Sequence, residues 1–356
     1  MRVGVDARCL TGQLTGIGRY VRETLWELYG MRPGWEWFLY SRTPVHLPLP
    51  SGRWHSSAEP NPLYRRMPGL LWVKARLGEL AIRDGIDVFW AAGTLLPTLN
   101  CPSVTTVYDL NHLLVPETMP IVNRFAYKRW FASDVLRADE VVAISRGTAS
   151  RLHRHIGRTT DLIATPGARW SSVEGASISE RPFAEPYLFC AATREPRKNL
   201  VSLVRAVASL KARGEIPGHL LVIAGARGWG AGFPDFEGKP PGWLRELGYV
   251  ADEAMAALFA HADALVQPSI YEGFGLPAAE AAAFGTRVVA TDIPELREAA
   301  GSTGIFVQPD VEGIAEGILK ALAGPRPKPV STFTWHGTAS VMLEAFESAV
   351  SRASRA

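Results

Sequence analysis

Tyr271-Glu272-Gly273-Phe274-Gly275-Leu276-Pro277-Ala278-Ala279-Glu280 sets two carboxylates eight positions apart across a glycine-rich turn that runs into a helix. Gly273 and Gly275 let the main chain approach a ligand closely, Pro277 suits the first helical turn, and the alanine-rich stretch after it continues the helix. A helix beginning near Leu276 turns its unpaired N–H groups and the positive end of its dipole toward the turn, which favours a diphosphate without a metal. Glu272 precedes that helix and Glu280 lies about one turn inside it, so the pair can address two parts of one elongated ligand. A nucleotide sugar has that shape. Taken singly, Glu272 also reads as a loop carboxylate in water, Glu280 as a solvated helix residue complementing the dipole, and Phe274 as a packing residue.

Arg197-Lys198-Asn199 follows a strand, where a loop meets a cleft. A cationic pair there can neutralise a departing diphosphate in place of a divalent metal, although both residues also fit an exposed helix start. No Asp-x-Asp occurs anywhere in the chain. Thr15-Gly16-Ile17-Gly18-Arg19-Tyr20 opens an amphipathic helix through Leu28, with Gly16 and Gly18 either structural or facing a ligand. It lacks the third spaced glycine of a dinucleotide fingerprint. Tyr108-Asp109 ends a strand, where Asp109 also fits a loop cap, and His261 reads as a surface or packing residue. Two segments, Tyr64 to Arg76 and Arg124 to Phe131, mix basic residues with Trp, Phe and Leu. They fit ordinary helix packing as well as a surface resting on anionic lipid.

The sequence EGFGLPAAE resembles the E-x7-E signature of the retaining glycosyltransferases of family 4, which have the GT-B fold. Residues 247 to 301 resemble that family throughout, as do EPRKN at 195 to 199, TGIGRY at 15 to 20, VYDL at 107 to 110 and ADEVVAISRGTASRL at 138 to 152. The resemblance implies that Glu272 lies near the donor sugar and stabilises developing positive charge, and that Glu280 clamps the ribose. It also implies that the backbone of Phe274, Gly275 and Leu276 holds the diphosphate with Lys198 and Arg197. The loop at Gly16 and Gly18 would lie against the donor, and Asp109 matches a family aspartate. The family's usual histidine is replaced by Tyr108, so Tyr108 or His112 is expected to take its place. A second family arginine upstream of Lys198 has only Arg194 as a substitute.

The elements that must position these groups are legible as short apolar runs alternating with amphipathic stretches, the pattern of parallel sheets with crossover helices. Strands are expected at Val3 to Asp6, Trp37 to Tyr40, Val88 to Trp90, Val104 to Val107, Val141 to Ile144 and Leu162 to Ala164. A second series is expected at Leu188 to Ala191, Leu220 to Ala224, Gly248 to Val250, Ala264 to Val266, Val288 to Ala290 and Gly304 to Val307. The fold class is α/β, with two doubly wound Rossmann-like domains facing across a cleft that holds the active site. The boundaries are 1–168 for the N-terminal, acceptor-side domain and 183–335 for the nucleotide-sugar domain. Pro166 to Pro186 is the linker, and 336–356 is a C-terminal helix crossing back, frayed from Ser351.

At 356 residues the chain suits two domains, and 47% hydrophobic with 21% charged residues argues against disorder. Residues 1 to 180 carry 21 Lys/Arg against 16 Asp/Glu, an excess too weak for a nucleic-acid partner. Cys9, Cys101 and Cys190 are far apart and form no C-x-x-C, which points to a reducing cytoplasm rather than zinc or disulfides. No secretion signal and no run of roughly 18 apolar residues is evident.

The expected activity is retaining, metal-independent transfer of a hexose to a glycan or lipid-linked acceptor in cell-surface polysaccharide synthesis. TGIGRY with EPRKN resembles the mannosyltransferase branch, so GDP-mannose leads as donor, and the location is cytoplasmic with peripheral contact at the inner face of the membrane. A GT-B nucleotide-sugar epimerase and a non-catalytic nucleotide-sugar-binding subunit are the alternatives.

Overall fold

The computed structural model describes residues 1–356 except 13, 46–51, 169–179, 230–232, 234–239, 331 and 356. It divides into two units, Met1–Gly167 with Trp335–Ala356, and Ala168–Thr334. In the first unit β1 (Arg2–Asp6), β2 (Glu36–Ser41), β3 (Trp54–Ala58), β4 (Val88–Ala91), β5 (Ser103–Val107) and β6 (Glu140–Ala143) form one sheet in the order β3-β2-β1-β4-β5-β6. In the second, β7 (Tyr187–Ala191), β8 (Leu220–Ala224), β9 (Leu244–Gly248), β10 (Ala264–Gln267), β11 (Arg287–Thr291) and β12 (Gly304–Val307) are ordered β12-β11-β10-β7-β8-β9. Every pairing is parallel.

Each unit therefore repeats the doubly wound order 3-2-1-4-5-6, and the chain reverses direction across the sheet between β1 and β4 and again between β7 and β10. Loops leaving the carboxyl ends of those two strands diverge to opposite faces and leave a crevice. The central strands are buried on both faces, so they read as unbroken apolar runs such as Val-Phe-Trp-Ala in β4 and Leu-Leu-Val-Ile-Ala in β8.

Three expectations about the sheets are corrected. β3 went unseen because Trp-His-Ser-Ser-Ala is polar; it is an edge strand and needs no continuous apolar face. Leu162 to Ala164 forms only an isolated bridge between Ile163 and Ala143. The strand expected at Gly248 to Val250 lies earlier, at Leu244–Gly248, where an edge position leaves four of its five residues exposed. The expected linker falls largely on residues 169–179, outside the described residues.

The last helix, Trp335–Ala353, belongs to the first unit, and it runs past the expected start of fraying at Ser351. Its buried stripe is Trp335, Ala339, Met342, Phe346 and Ala349. Phe346 meets the edges of Trp37 and Trp90 at 6.4 and 6.0 Å between centroids. Arg32 and Glu347 (2.6 Å) and Ser348 and Glu140 (2.6 Å) close its rim. Phe346 is fully buried, so Phe346→Ala should cost ~3–5 kcal/mol. The cost would be read as an earlier first transition in guanidinium unfolding followed by tryptophan fluorescence.

Candidate functional site

In the second unit the loops after β7 and β10 meet at the crevice. After β7 the chain passes Glu195 into a 3-10 turn, Pro196–Lys198, and Asn199 then takes a left-handed conformation (φ 55°) before the helix Leu200–Ala212. Asparagine tolerates that region because its short amide can bond locally. Here its Nδ2 donates to the carbonyls of Pro309 (2.6 Å) and Pro268 (3.2 Å), and Ile270 N–H donates to the Arg197 carbonyl at 2.8 Å. The loops are thus stitched through main-chain carbonyls before any charge is considered.

Glu272 sits at that junction, only 5% exposed. Its Oε1 accepts from Lys198 Nζ (2.6 Å), Ser269 Oγ (2.7 Å) and Gln267 Nε2 (3.0 Å), and its Oε2 accepts from Arg197 Nη1 at 2.9 Å. Glu195 in turn holds Arg197 Nε at 2.9 Å. Burial pushes the Glu272 carboxyl up, but the charges of Lys198 and Arg197 and the Lys198 and Ser269 hydrogen bonds outweigh it and hold the group well below the usual carboxylate range. A carboxylate so stabilised is an anion at every working pH, a poor base and a weak nucleophile. It is suited to standing opposite positive charge.

The turn after Glu272 is fixed for two reasons at Gly275. Its φ of 112° favours glycine, and an added Cβ would stand 2.5 Å from Leu296 Cδ2 of the helix Pro294–Ala300. The helix Leu276–Ala283 starts directly after it; Pro277 carries no N–H, and the Ala278 and Ala279 N–H groups donate to the Gly275 carbonyl at 2.9 and 3.2 Å. The Phe274 side chain packs edge-on against Phe333 at 5.1 Å, so only its main chain remains for a ligand. Glu280 is buried, at 3% exposure, which removes the reading of it as a solvated residue. Arg194 pairs with Glu246 at the β9 edge, with its guanidinium over Phe233, and so does not stand in beside Glu272. His261 is the half-buried last residue of the helix Asp252–His261.

In the first unit, Gly16 begins the helix Gly16–Met31 in open space, whereas a Cβ on Gly18 would collide with the Cys9 carbonyl at 2.4 Å. Gly18 is therefore required by packing. Asp109 accepts from Asn111 N–H (3.1 Å) and Asn111 Nδ2 (3.0 Å), capping the loop into the turn Asn111–Leu114. Tyr108 is buried, edge-on to Tyr20 at 5.4 Å, and burial pushes its phenol up. His112 is turned into the aromatic core, 4.2 Å from Phe131 and 5.5 Å from Tyr127, and burial pushes its pKa down to about 4.

The second unit thus gathers Glu272, Lys198 and Arg197 and sets the turn at Phe274, Gly275 and Leu276 beside them, while the first unit holds Gly16, Gly18 and Asp109. Sequence reasoning missed Gln267, Ser269, Glu195 and Asn199. The signal for Gln267 and Ser269 was position, as polar residues at the end of a buried strand within five residues of Glu272, and Glu195 and Asn199 flank the turn that carries Arg197 and Lys198. Among the described residues no group of three or more His, Cys, Asp or Glu is placed to hold a metal, and no helix is long and apolar enough to cross a membrane.

Comparison with known proteins identifies the family. The model for Glycosyltransferase Family 4 matches residues 14–165, and that for Glycosyl transferases group 1 matches residues 185–324. The chain belongs to the family 4 glycosyltransferases; it has the GT-B fold and is an enzyme. It is 28% identical over 373 residues to the O-antigen chain mannosyltransferase B of Escherichia coli, covering 94% of this chain and 96% of that one. It is 24% identical to the O-antigen chain mannosyltransferase RfbU of Salmonella typhimurium over 67% of this chain and 65% of that one. Among solved structures, sucrose-phosphate synthase from Thermosynechococcus elongatus shares the fold with a TM-score of 0.64 at 19% identity, covering 99% and 97% of the two chains.

The Glu272 cluster makes a signed prediction. A carboxylate whose folded pKa lies below its ordinary 4.5 stabilises the fold fully above that value and loses the contribution as pH falls through the folded pKa. Glu272→Gln leaves two cations at the buried junction and should cost ~3–5 kcal/mol at pH 7. Denaturant midpoints measured from pH 7 down to pH 2 should show the gap between wild type and variant narrowing below about pH 4.5.

Proposed function

We propose that this glycosyltransferase moves a hexose, with mannose from GDP-mannose the leading choice, to a hydroxyl on a glycan or lipid-linked acceptor in the synthesis of a cell-surface polysaccharide. The relationship to two O-antigen mannosyltransferases supports mannose and polysaccharide. The observation that carries the reading is the Glu272 carboxylate, held as a permanent anion by Lys198 and Arg197 directly before a helix N-terminus at the carboxyl end of β10. In this reading the bond from the anomeric carbon to the diphosphate breaks, the acceptor oxygen bonds to that carbon on the same face, and the acceptor proton passes to the departing phosphate. Glu272 stabilises the positive charge that develops on the sugar.

Lys198 and Arg197 balance the leaving diphosphate, and the main chain of Phe274, Gly275 and Leu276 binds it without a metal. Glu280 accepts from the ribose hydroxyls. Donor hydrolysis in the absence of acceptor tests this: GDP-mannose should release GDP slowly, and Glu272→Ala should lower the rate at least 10²-fold while GDP-mannose still raises its melting temperature. Undiminished release from the variant, or a donor-induced shift with no turnover for any acceptor, would overturn it in favour of a non-catalytic binding protein.

The same reading includes peripheral contact with an anionic membrane. Ile121, Val122 and Phe125 are 66–68% exposed at the start of the helix Ile121–Arg137, interleaved with the exposed Arg124, Lys128 and Arg129. Apolar side chains among cations suit the headgroup boundary of acidic lipids. The protein should sediment with vesicles rich in phosphatidylglycerol, less at 0.5 M salt, and Phe125→Ser with Val122→Ser should weaken that several-fold. Equal sedimentation with neutral vesicles counts against it.

A further inference from the structure

The crevice of the first unit carries a charge arrangement that the donor chemistry above does not use. Arg8 follows β1 and Arg42 follows β2, so both leave the carboxyl edge of the sheet from neighbouring strands. Arg8 is oriented by a buried partner: its Nε and Nη2 donate to the two Asp6 oxygens at 2.8 and 2.7 Å, and Asp6 is 1% exposed. Gly93 lies against this fork, where a Cβ would stand 2.7 Å from both Arg8 Nη2 and Asp6 Oδ2. That leaves Nη1 as the free edge of the Arg8 guanidinium, and it points to Gly69. Arg42 reaches the same glycine, held by donation from Nη1 to the Met67 carbonyl at 2.5 Å. A Cβ on Gly69 would be 3.4 Å from Arg8 Nη1 and 3.4 Å from Arg42 Nη2.

Two guanidinium nitrogens each 3.4 Å from one point lie within about 7 Å of each other. Asp6 balances one of the charges, and among the described residues no carboxylate pairs with Arg42. Like charges held this close repel unless an anion stands between them. The spacing fits a tetrahedral one: oxygens ~2.5 Å apart, each ~2.9 Å from a nitrogen, bridge two donors up to about 8 Å apart. Guanidinium rather than ammonium at both corners suits phosphate geometry. The absence of a side chain at Gly69 keeps the space between them open.

We propose that Arg8 and Arg42 bind a phosphate of the acceptor, a phosphomonoester or diphosphate, over Gly69. The identification of that phosphate as the acceptor's rests on the glycosyltransferase reading above; the anion site itself does not. Asp6 acts as a positioning residue that turns Arg8.

Calorimetric titration of the whole protein with inorganic phosphate tests the site, using a Lys198→Gln background so that the second unit's cations do not compete. Arg42→Gln and Gly69→Asp, each added to that background, should weaken phosphate binding at least tenfold, the second by placing a carboxylate where the anion would sit. The position-69 backbone carries no positive φ, so that variant should keep its melting temperature, and Gly69→Ala, which puts only a methyl group into the same space, should weaken binding less than Gly69→Asp. Mannose 1-phosphate and decyl phosphate, run in parallel, separate a sugar phosphate from a lipid phosphate as the preferred source. Undiminished phosphate binding in both charge variants, or none to the Lys198→Gln protein at 20 mM, overturns the proposal. Because the titration needs neither donor nor turnover, its failure is distinct from failure of the donor-hydrolysis test.

Discussion

A buried carboxylate with two cations against it is the constraint on which the second unit's site depends. Taking Glu272, Lys198 and Arg197 from water is costly, and mutual attraction offsets that cost only if every charged group is also hydrogen-bonded. The sequence meets the condition with four donors on one carboxylate and with Glu195 on the far side of Arg197. This explains why so much backbone is tied down nearby. The left-handed Asn199, its bonds to Pro268 and Pro309, and the Ile270 to Arg197 bond hold two separate loops in the one register at which the charges meet.

The strand order supplies the setting. A doubly wound sheet opens a crevice only where successive crossovers go to opposite faces, and both units do this at the same topological step. At each step an arginine is bonded to a buried carboxylate: Arg8 to Asp6 beyond β1, and Arg197 to Glu272 beyond β7 and β10. The two differ in what the carboxylate serves. Asp6 holds one side of a guanidinium and leaves the other outward, whereas Glu272 is itself the group being held.

How much of this was legible follows from burial. Central strands are covered on both faces, so β4, β7 and β8 announce themselves as apolar runs, and the turn from Glu272 to Glu280 announces itself through glycine, proline and paired acids. Edge strands carry no such mark: Trp-His-Ser-Ser-Ala and Leu-Arg-Glu-Leu-Gly read as loop because one side of each meets solvent. Nor does residue type reveal Ser269 and Gln267, whose roles come from a fold that points them at a carboxylate three and five residues on. Gly18 shows how packing weighs between two readings that spacing leaves level, since the Cys9 carbonyl leaves no room there for a Cβ.

Position 108 shows where burial decides between candidates that type alone leaves level. A histidine four residues on is an obvious substitute for one missing at 108. Yet His112 is packed among Phe131 and Tyr127, and desolvation keeps its ring neutral until about pH 4. A neutral imidazole within an aromatic cluster is part of the core. Tyr108 keeps its ring edge-on to Tyr20, and its hydroxyl has no hydrogen-bond partner among the described residues. Phenylalanine would preserve that ring contact and spare the fold the ~1–3 kcal/mol of an unpaired buried hydroxyl. Packing therefore accounts for an aromatic ring at 108 but not for its oxygen.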